Sequence, residues 1–160
     1  MSSERKIVVL AALLRALEEP RREGRTVALA NGLFDILHVG HLRYLEAASR
    51  EADLLVVALN SDDSARRLKG PGRPIVPERE RAELVAGFSC VDYVTVFAES
   101  NVETLLRRLR PEVHCKGTDY TAATVPEREV ARALGVRVAI VGDPKDHATR
   151  EIIRRIRDAR

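Results

Sequence analysis

The chain has 160 residues, 45% of them hydrophobic and 32% charged, with 27 basic against 24 acidic side chains and a net charge of +3. That length suits one domain over 1–160 with a single core, and the composition excludes a disordered chain, while the near balance of charge excludes a nucleic-acid footprint. Two distant cysteines exclude a disulfide scaffold, and the apolar run 7–14 is too short to span a bilayer and lacks a cleavage-site pattern, so the chain reads as cytoplasmic with no membrane partner.

Apolar positions Val8, Leu10, Ala11, Leu13, Leu14 and Leu17 cover a broad helical face and predict a helix over 4–19, ended near Pro20 and Gly24. This N-terminal helix, within 1–24, precedes a core over 25–160. A short apolar run over 26–30 predicts a buried strand, 41–50 a helix with Leu42, Leu45 and Ala48 inward, and the aliphatic run 54–59 a strand covered on both faces. Gly and Pro punctuate 69–74 into a loop, and Pro77 suits the first turn of a helix running to Phe88. A strand over 91–97, a helix over 101–109 and a short strand over 112–115 follow. Thr124-Val-Pro-Glu127 fits a capping box for a helix that stops at Gly135. A last strand over 136–141 leads to an amphipathic helix over 149–159 with Ile152, Ile153 and Ile156 inward.

Strand and helix alternate throughout, which predicts an α/β, Rossmann-like, doubly wound parallel sheet with helices on both faces. Ligands bind such sheets beyond the carboxyl ends of the strands. The segments to search are therefore 31–41, 60–66 and 116–120.

The first strand runs into Asn31-Gly-Leu-Phe-Asp-Ile-Leu-His-Val-Gly-His41. Two imidazoles three apart at a helix start, His38 and His41, can donate hydrogen bonds to phosphate oxygens. Gly40 lets the backbone come close to a ligand, and the helix N-terminus adds free N–H groups and a favourable dipole. The same two histidines also suit plain helix caps or a metal site. Phe34 reads as core, and Asp35 as a group that orients a histidine, holds a metal or caps the turn.

His38-Val-Gly-His41 resembles the H-x-G-H signature of the cytidylyltransferase-like nucleotidyltransferases; at this chain's own His and Gly content roughly 0.006 such matches arise by chance. Asn60-Ser-Asp62, Arg66-Arg-Leu-Lys-Gly-Pro-Gly-Arg-Pro74, Cys90-Val-Asp-Tyr-Val94 and Lys116-Gly-Thr-Asp-Tyr120 follow in the order of one subgroup, the adenylyltransferase domain of ADP-heptose synthesis, found alone or fused to a sugar kinase. The likeness covers 26–156. It implies transfer of AMP from ATP, with Mg²⁺, to a sugar 1-phosphate (heptose 1-phosphate), giving ADP-heptose and pyrophosphate. It also implies a homodimer.

The resemblance implies these roles. Asn31, Gly32 and Phe34 line the nucleotide pocket with Gly40. His38 and His41 stabilise the transition state, and Lys69 reaches a phosphate from its loop. Asp62 lies near the sugar phosphate, Arg81 holds the acceptor's phosphate, and Asp35 and Arg73 stand with them on the substrate side. Lys116 and Asp119 face the nucleotide or its metal, with no metal held by protein ligands alone. Read as residues alone, Lys69 and Arg73 also fit a solvated or lid-like loop, and Arg81, set among Glu78, Arg79, Glu80 and Glu83, fits a surface ion pair.

One segment departs from the subgroup. Members carry a Ser-Thr pair at the start of the last helix; here Ala148 stands in place of Ser, Thr149 keeps one hydroxyl for the triphosphate, and Asp146 and His147 precede them. Asp146 repels phosphate unless it binds Mg²⁺, and Lys145 and Arg150 are the cations placed to compensate. The departure keeps two rivals open: a cytidylyltransferase acting on glycerol phosphate or another alcohol phosphate, and a non-catalytic nucleotide-binding regulatory protein.

Overall fold

The computed structural model describes residues 2–144 and 146–159. In chain order the elements are α1 (Ser3–Lys6), α2 (Leu10–Ala16), α3 (Glu18–Arg22), β1 (Val27–Gly32), α4 (Val39–Ser49), β2 (Leu54–Asn60), α5 (Asp62–Lys69), α6 (Glu78–Ala86), β3 (Tyr93–Phe97), α7 (Glu103–Leu109), β4 (Val113–Lys116), α8 (Arg128–Ala133), β5 (Arg137–Ile140) and α9 (Thr149–Asp158). All strand pairs are parallel and the sheet order is β3-β2-β1-β4-β5. This is the doubly wound α/β sheet expected from the alternation. The order reverses between β1 and β4, so the crevice for a ligand opens beyond Asn31 and Lys116.

The sheet is covered on both faces because its strands carry apolar side chains in both directions. Ala28, Ala30, Leu55, Val57, Val113 and Cys115 face α4 and α6, where Leu45, Ala48, Ala82 and Val85 meet them. Val27, Leu29, Leu54 and Val56 face the other way, against Leu13, Leu17, Leu105, Leu106 and Ala131. No described helix is long and apolar enough to cross a membrane.

The structure corrects several elements. The helix expected over 4–19 is broken into three pieces, because the β-branched run at 7–9 is extended: Val8 N–H donates to Val94 O at 2.9 Å along the free edge of β3. Pro20 does not end the helix but sits in the first turn of α3, where its missing N–H costs nothing. Helix α5 lies outside the expected elements. The Thr124–Glu127 capping box does not form: Thr124 Oγ1 instead accepts from Thr121 N at 2.8 Å, and Glu127 turns inward to 4% exposure. On α9, Ile152 and Ile153 are half-buried and Ile156 is 58% exposed, so Ile156 is not inward.

Candidate active site

Strand β1 extends through Asn31 and Gly32, then turns sharply; Phe34 and Ile36 both take left-handed backbone, at φ 52° and 48°. Non-glycine residues adopt that region rarely and at a cost, so the surrounding contacts must hold the turn. Asp35 does so from inside. Its carboxylate, 2% exposed as a residue, accepts from Ile75 N and Val76 N at 2.9 Å each and from Arg73 Nε at 2.8 Å. Burial alone would raise its pKa, but these donors together hold it below the ordinary carboxylate range.

His38 is the N-cap of α4, and the two histidines cap the helix reciprocally. His38 Nδ1 accepts from Gly40 N at 3.1 Å, and His41 Nδ1 accepts from His38 N at 3.3 Å. The cap reading of the two histidines therefore holds. With each Nδ1 used as an acceptor, a neutral ring carries its proton on Nε2. The rings stack at 3.9 Å between centroids. A Cβ on Gly40 would lie 2.9 Å from His38 Cε1, so a side chain here would displace the His38 ring from its cap. Phe34 is buried against His41, with centroids 5.3 Å apart, and against Tyr44.

A cleft of about 880 Å³ opens over these residues. The structure brings Asn31, Gly32, Phe34, Asp35, His38, Gly40, His41, Lys69, Arg73, Lys116, Asp119 and Thr149 to it. Lys116 is buried, 3.8 Å from Glu127 Oε2 and 4.6 Å from the centre of the Tyr120 ring. Lys69 is exposed, with no hydrogen-bond or ion-pair partner among the described residues. Arg150 lines the cleft as well, and Lys145 lies outside the described residues.

Two residues expected on the substrate side are not there. Arg81 has zero exposure and lies outside the cleft lining; its Nε donates to Val76 O at 2.9 Å, its Nη1 to Leu33 O, and its Nη2 to Asp62 Oδ1 at 2.8 Å. Asp62 is thereby turned to Arg81 and away from the cleft. The pair is an internal buttress beneath the β1–α4 turn: three of the five guanidinium N–H groups are bonded inside the protein, and a side chain with zero exposure outside the cleft lining does not reach an acceptor's phosphate there. Asp35 and Arg73 line the cleft but are bonded to each other. Thr149 Oγ1 donates to Asp35 O at 2.6 Å, so its proton ties α9 to the β1–α4 turn and only its lone pairs face outward.

Three contributors were not legible beforehand. His147 stands over the pair, 6.4 Å from His38 between ring centroids. Its Cβ would lie 3.5 Å from a Cβ at position 40. Glu127 is the buried partner of Lys116. His114 is buried and has its Nε2 2.9 Å from Asn31 Oδ1. Only a pairing of β1 with β4 could have revealed that last contact.

Residues 29–155 match the family model described as cytidylyltransferase-like. Among curated proteins, the Bifunctional protein HldE of Syntrophotalea carbinolica is 48% identical over 153 residues, covering 96% of this chain and 31% of that protein. The Bifunctional protein HldE of Desulfatibacillum aliphaticivorans is 40% identical over 155 residues, covering 97% and 32%. The chain thus spans about a third of the length of the curated relatives it matches. Among solved structures, the lipopolysaccharide core biosynthesis protein from Thermoplasma volcanium is 26% identical with a TM-score of 0.65, over 76% of this chain and 100% of that one. Pantothenate synthetase from Thermus thermophilus is 25% identical with a TM-score of 0.57, over 89% and 63%. This chain belongs to the cytidylyltransferase-like family of nucleotidyltransferases.

Proposed function

We propose that this member of the cytidylyltransferase-like family transfers AMP from ATP to a heptose 1-phosphate, giving ADP-heptose and pyrophosphate. The observation that carries the transfer is the reciprocal cap of His38 and His41. It gathers two imidazoles and the N-terminus of α4 at one point of the cleft, beside Gly40, which carries no side chain. An oxygen of the acceptor's phosphate attacks the α-phosphorus, the bond from that phosphorus to the bridging oxygen breaks, and pyrophosphate leaves with the charge. No protein nucleophile enters. The chain's task is to hold two anions in line and to stabilise charge that grows in the transition state. Lys69, exposed, and Lys116, paired with Glu127, are cations of the cleft lining.

The adenylyl and heptose parts of this reading rest on the Arg67–Pro74 loop, the Lys116–Tyr120 segment and the likeness to the HldE proteins. Mg²⁺ supplies charge neutralisation on the triphosphate when bound. Among the described residues no group of three or more His, Cys, Asp or Glu is gathered for a metal. Asp119 is one of the cleft carboxylates that would meet such an ion. The same reading includes one catalytic domain over 1–160 and a cytoplasmic homodimer, which light scattering of the purified chain tests.

Four nucleoside triphosphates assayed against several sugar and alcohol phosphates, scored by pyrophosphate release, decide the activity. ATP with heptose 1-phosphate is the expected pair. Strong preference for CTP with glycerol phosphate replaces the reading by a cytidylyltransferase. Nucleotide binding without turnover on any pair replaces it by a regulatory role.

A further inference from the structure

We infer that His114 is a positioning residue of the nucleotide site, fixing the Asn31 carboxamide so that its NH₂ group points into the cleft at an oxygen of the nucleotide. The inference rests on the nucleotidyltransferase reading above for the identity of the ligand, and on the geometry of β1 and β4 for the residue.

In the parallel pairing of β1 with β4, Leu29 lies beside His114 and Ala30 beside Cys115. Side chains alternate along each strand, so Asn31 and His114 project from the same face of the sheet. His114 has zero exposure and does not reach the cleft itself; Asn31 lies at its floor. Their side chains meet at 2.9 Å, from Nε2 to Oδ1. No other hydrogen bond of the Asn31 side chain occurs among the described residues.

The protonation of this contact follows from what the ring can do. Burial, and then the charge of Lys116, push the His114 pKa down to about 3, so the ring is neutral and carries one N–H. Its Nδ1 is buried without a hydrogen-bond partner. If Asn31 were turned round, its NH₂ would donate to Nε2 and the ring's N–H would be stranded at Nδ1. A buried N–H with no acceptor is rarer and costlier than a bare lone pair. The arrangement that leaves only a lone pair unmet has Nε2–H donating to Oδ1, which consumes the amide's acceptor toward the interior. Both amide N–H groups then face the cleft. A neutral, buried donor thus decides that this wall of the site offers donors and no acceptor, as a polyanionic ligand requires.

The test is a double-mutant cycle read by steady-state kinetics and by titration of a non-hydrolysable triphosphate. His114→Leu keeps the bulk and removes the donor. It is expected to raise the triphosphate KM and Kd by about five- to tenfold, the loss of one hydrogen bond's worth of orientation, and to leave the acceptor KM unchanged. Asn31→Ala should do the same, and the double variant no more than Asn31→Ala alone. His114→Gln, which can still donate, should recover part of the loss. A purely structural His114 would lower the melting temperature while leaving the triphosphate KM and Kd in place, or would add its effect in full to that of Asn31→Ala; either outcome overturns the inference. Should the wild-type chain bind no nucleotide, the function proposed above fails instead, and long-range ¹H–¹⁵N spectra of the histidine rings decide this one. A His114 ring fixed as the Nε2–H tautomer from pH 5 to 9, and released from it by Asn31→Ala, supports it. A ring that titrates in that range, or that holds its proton at Nδ1, overturns it.

Discussion

The two turns that meet over the carboxyl ends of the strands are built differently. The turn after β1 is held from below and within: Arg81 bonds Leu33 O, Asp35 gathers three donors, and the two histidines cap α4 with each other. The turn after β5 is held at its edges. Arg43 pairs with Asp143 at 2.7 Å and Thr118 donates to Asp143 O at 2.6 Å, both exposed, while α9 has no buried residue among those described. At Gly142, φ 95° carries the chain past Tyr44, where a Cβ would lie 3.3 Å from Tyr44 Cα, so even this turn is constrained where it touches α4. Under the function proposed above, the contrast would separate two tasks. The first turn would fix the point where charge develops, where a small misplacement is expensive. The second would close on the far end of the triphosphate, where grip matters more than placement.

The sharpest way to break this division is to remove a donor from the first turn. His41→Ala is expected to lower turnover at least about a hundredfold, near 2.7 kcal/mol of transition-state stabilisation, and to change triphosphate affinity much less. Turnover near the wild-type value in a folded His41→Ala protein would end the assignment of the site. Next in size is the buttress. Arg81→Met leaves Val76 O and Leu33 O without their donor, while Asp62, one-third exposed, can turn to water. A loss of about 2.5 kcal/mol in unfolding free energy is expected by urea titration, mostly from the two carbonyls. A loss under about 0.5 kcal/mol, the range of ordinary surface changes, would return Arg81 to the candidates for substrate contact.

Asp35 joins the first turn to the loop over 73–76 and, through its carbonyl, to Thr149. Its folded-state pKa is depressed below the ordinary 3.8. Its contribution is therefore fully present above that value and lost as the pH falls through the folded one. Asp35→Asn should cost about 2 kcal/mol at pH 7, and the gap between variant and wild type should close below about pH 4. A gap that stays constant to pH 2 would mean that the charge of Asp35 contributes nothing.

Legibility in the sequence followed the range of the forces involved. The strands were readable because continuous aliphatic runs such as that of β2 have few other homes. The histidine motif was readable because cap, close approach and donor all lie within four residues. Helix α5 does carry a local signal: Ser61 Oγ accepts from Ser64 N at 3.1 Å, with Asp62 and Asp63 in the first turn. The Thr124–Glu127 box was local and false, because a buried Lys116 gave Glu127 a partner that outweighed the helix terminus. Arg81 was hidden by its neighbours, since a run of alternating charge does not reveal which member turns inward. The contact of His114 with Asn31 crosses two strands far apart in sequence, and no pattern along the chain encodes it.

The smallest effect tests the second turn on its own terms. Ala148 is the N-cap of α9 and provides no side-chain acceptor or donor there, and Thr149, the next residue, has its hydroxyl proton engaged by Asp35 O. Under the proposed function, the start of α9 would therefore offer a triphosphate its backbone N–H groups and no side-chain hydroxyl proton. Ala148→Ser adds one hydroxyl at that end. It is expected to tighten a non-hydrolysable triphosphate by about 0.5–1.5 kcal/mol, the net worth of one hydrogen bond, with turnover nearly unchanged because the reacting phosphorus lies at the other turn. Thr149→Ala removes a tether as well as a hydroxyl, so it should weaken binding and lower the melting temperature together. Calorimetric titration beside thermal melts of the ligand-free proteins separates the contributions. If Ala148→Ser raises the melting temperature and leaves affinity where it was, the new hydroxyl only caps the helix. The second turn would then take no part in holding the triphosphate, and the division of labour between the two turns would be wrong.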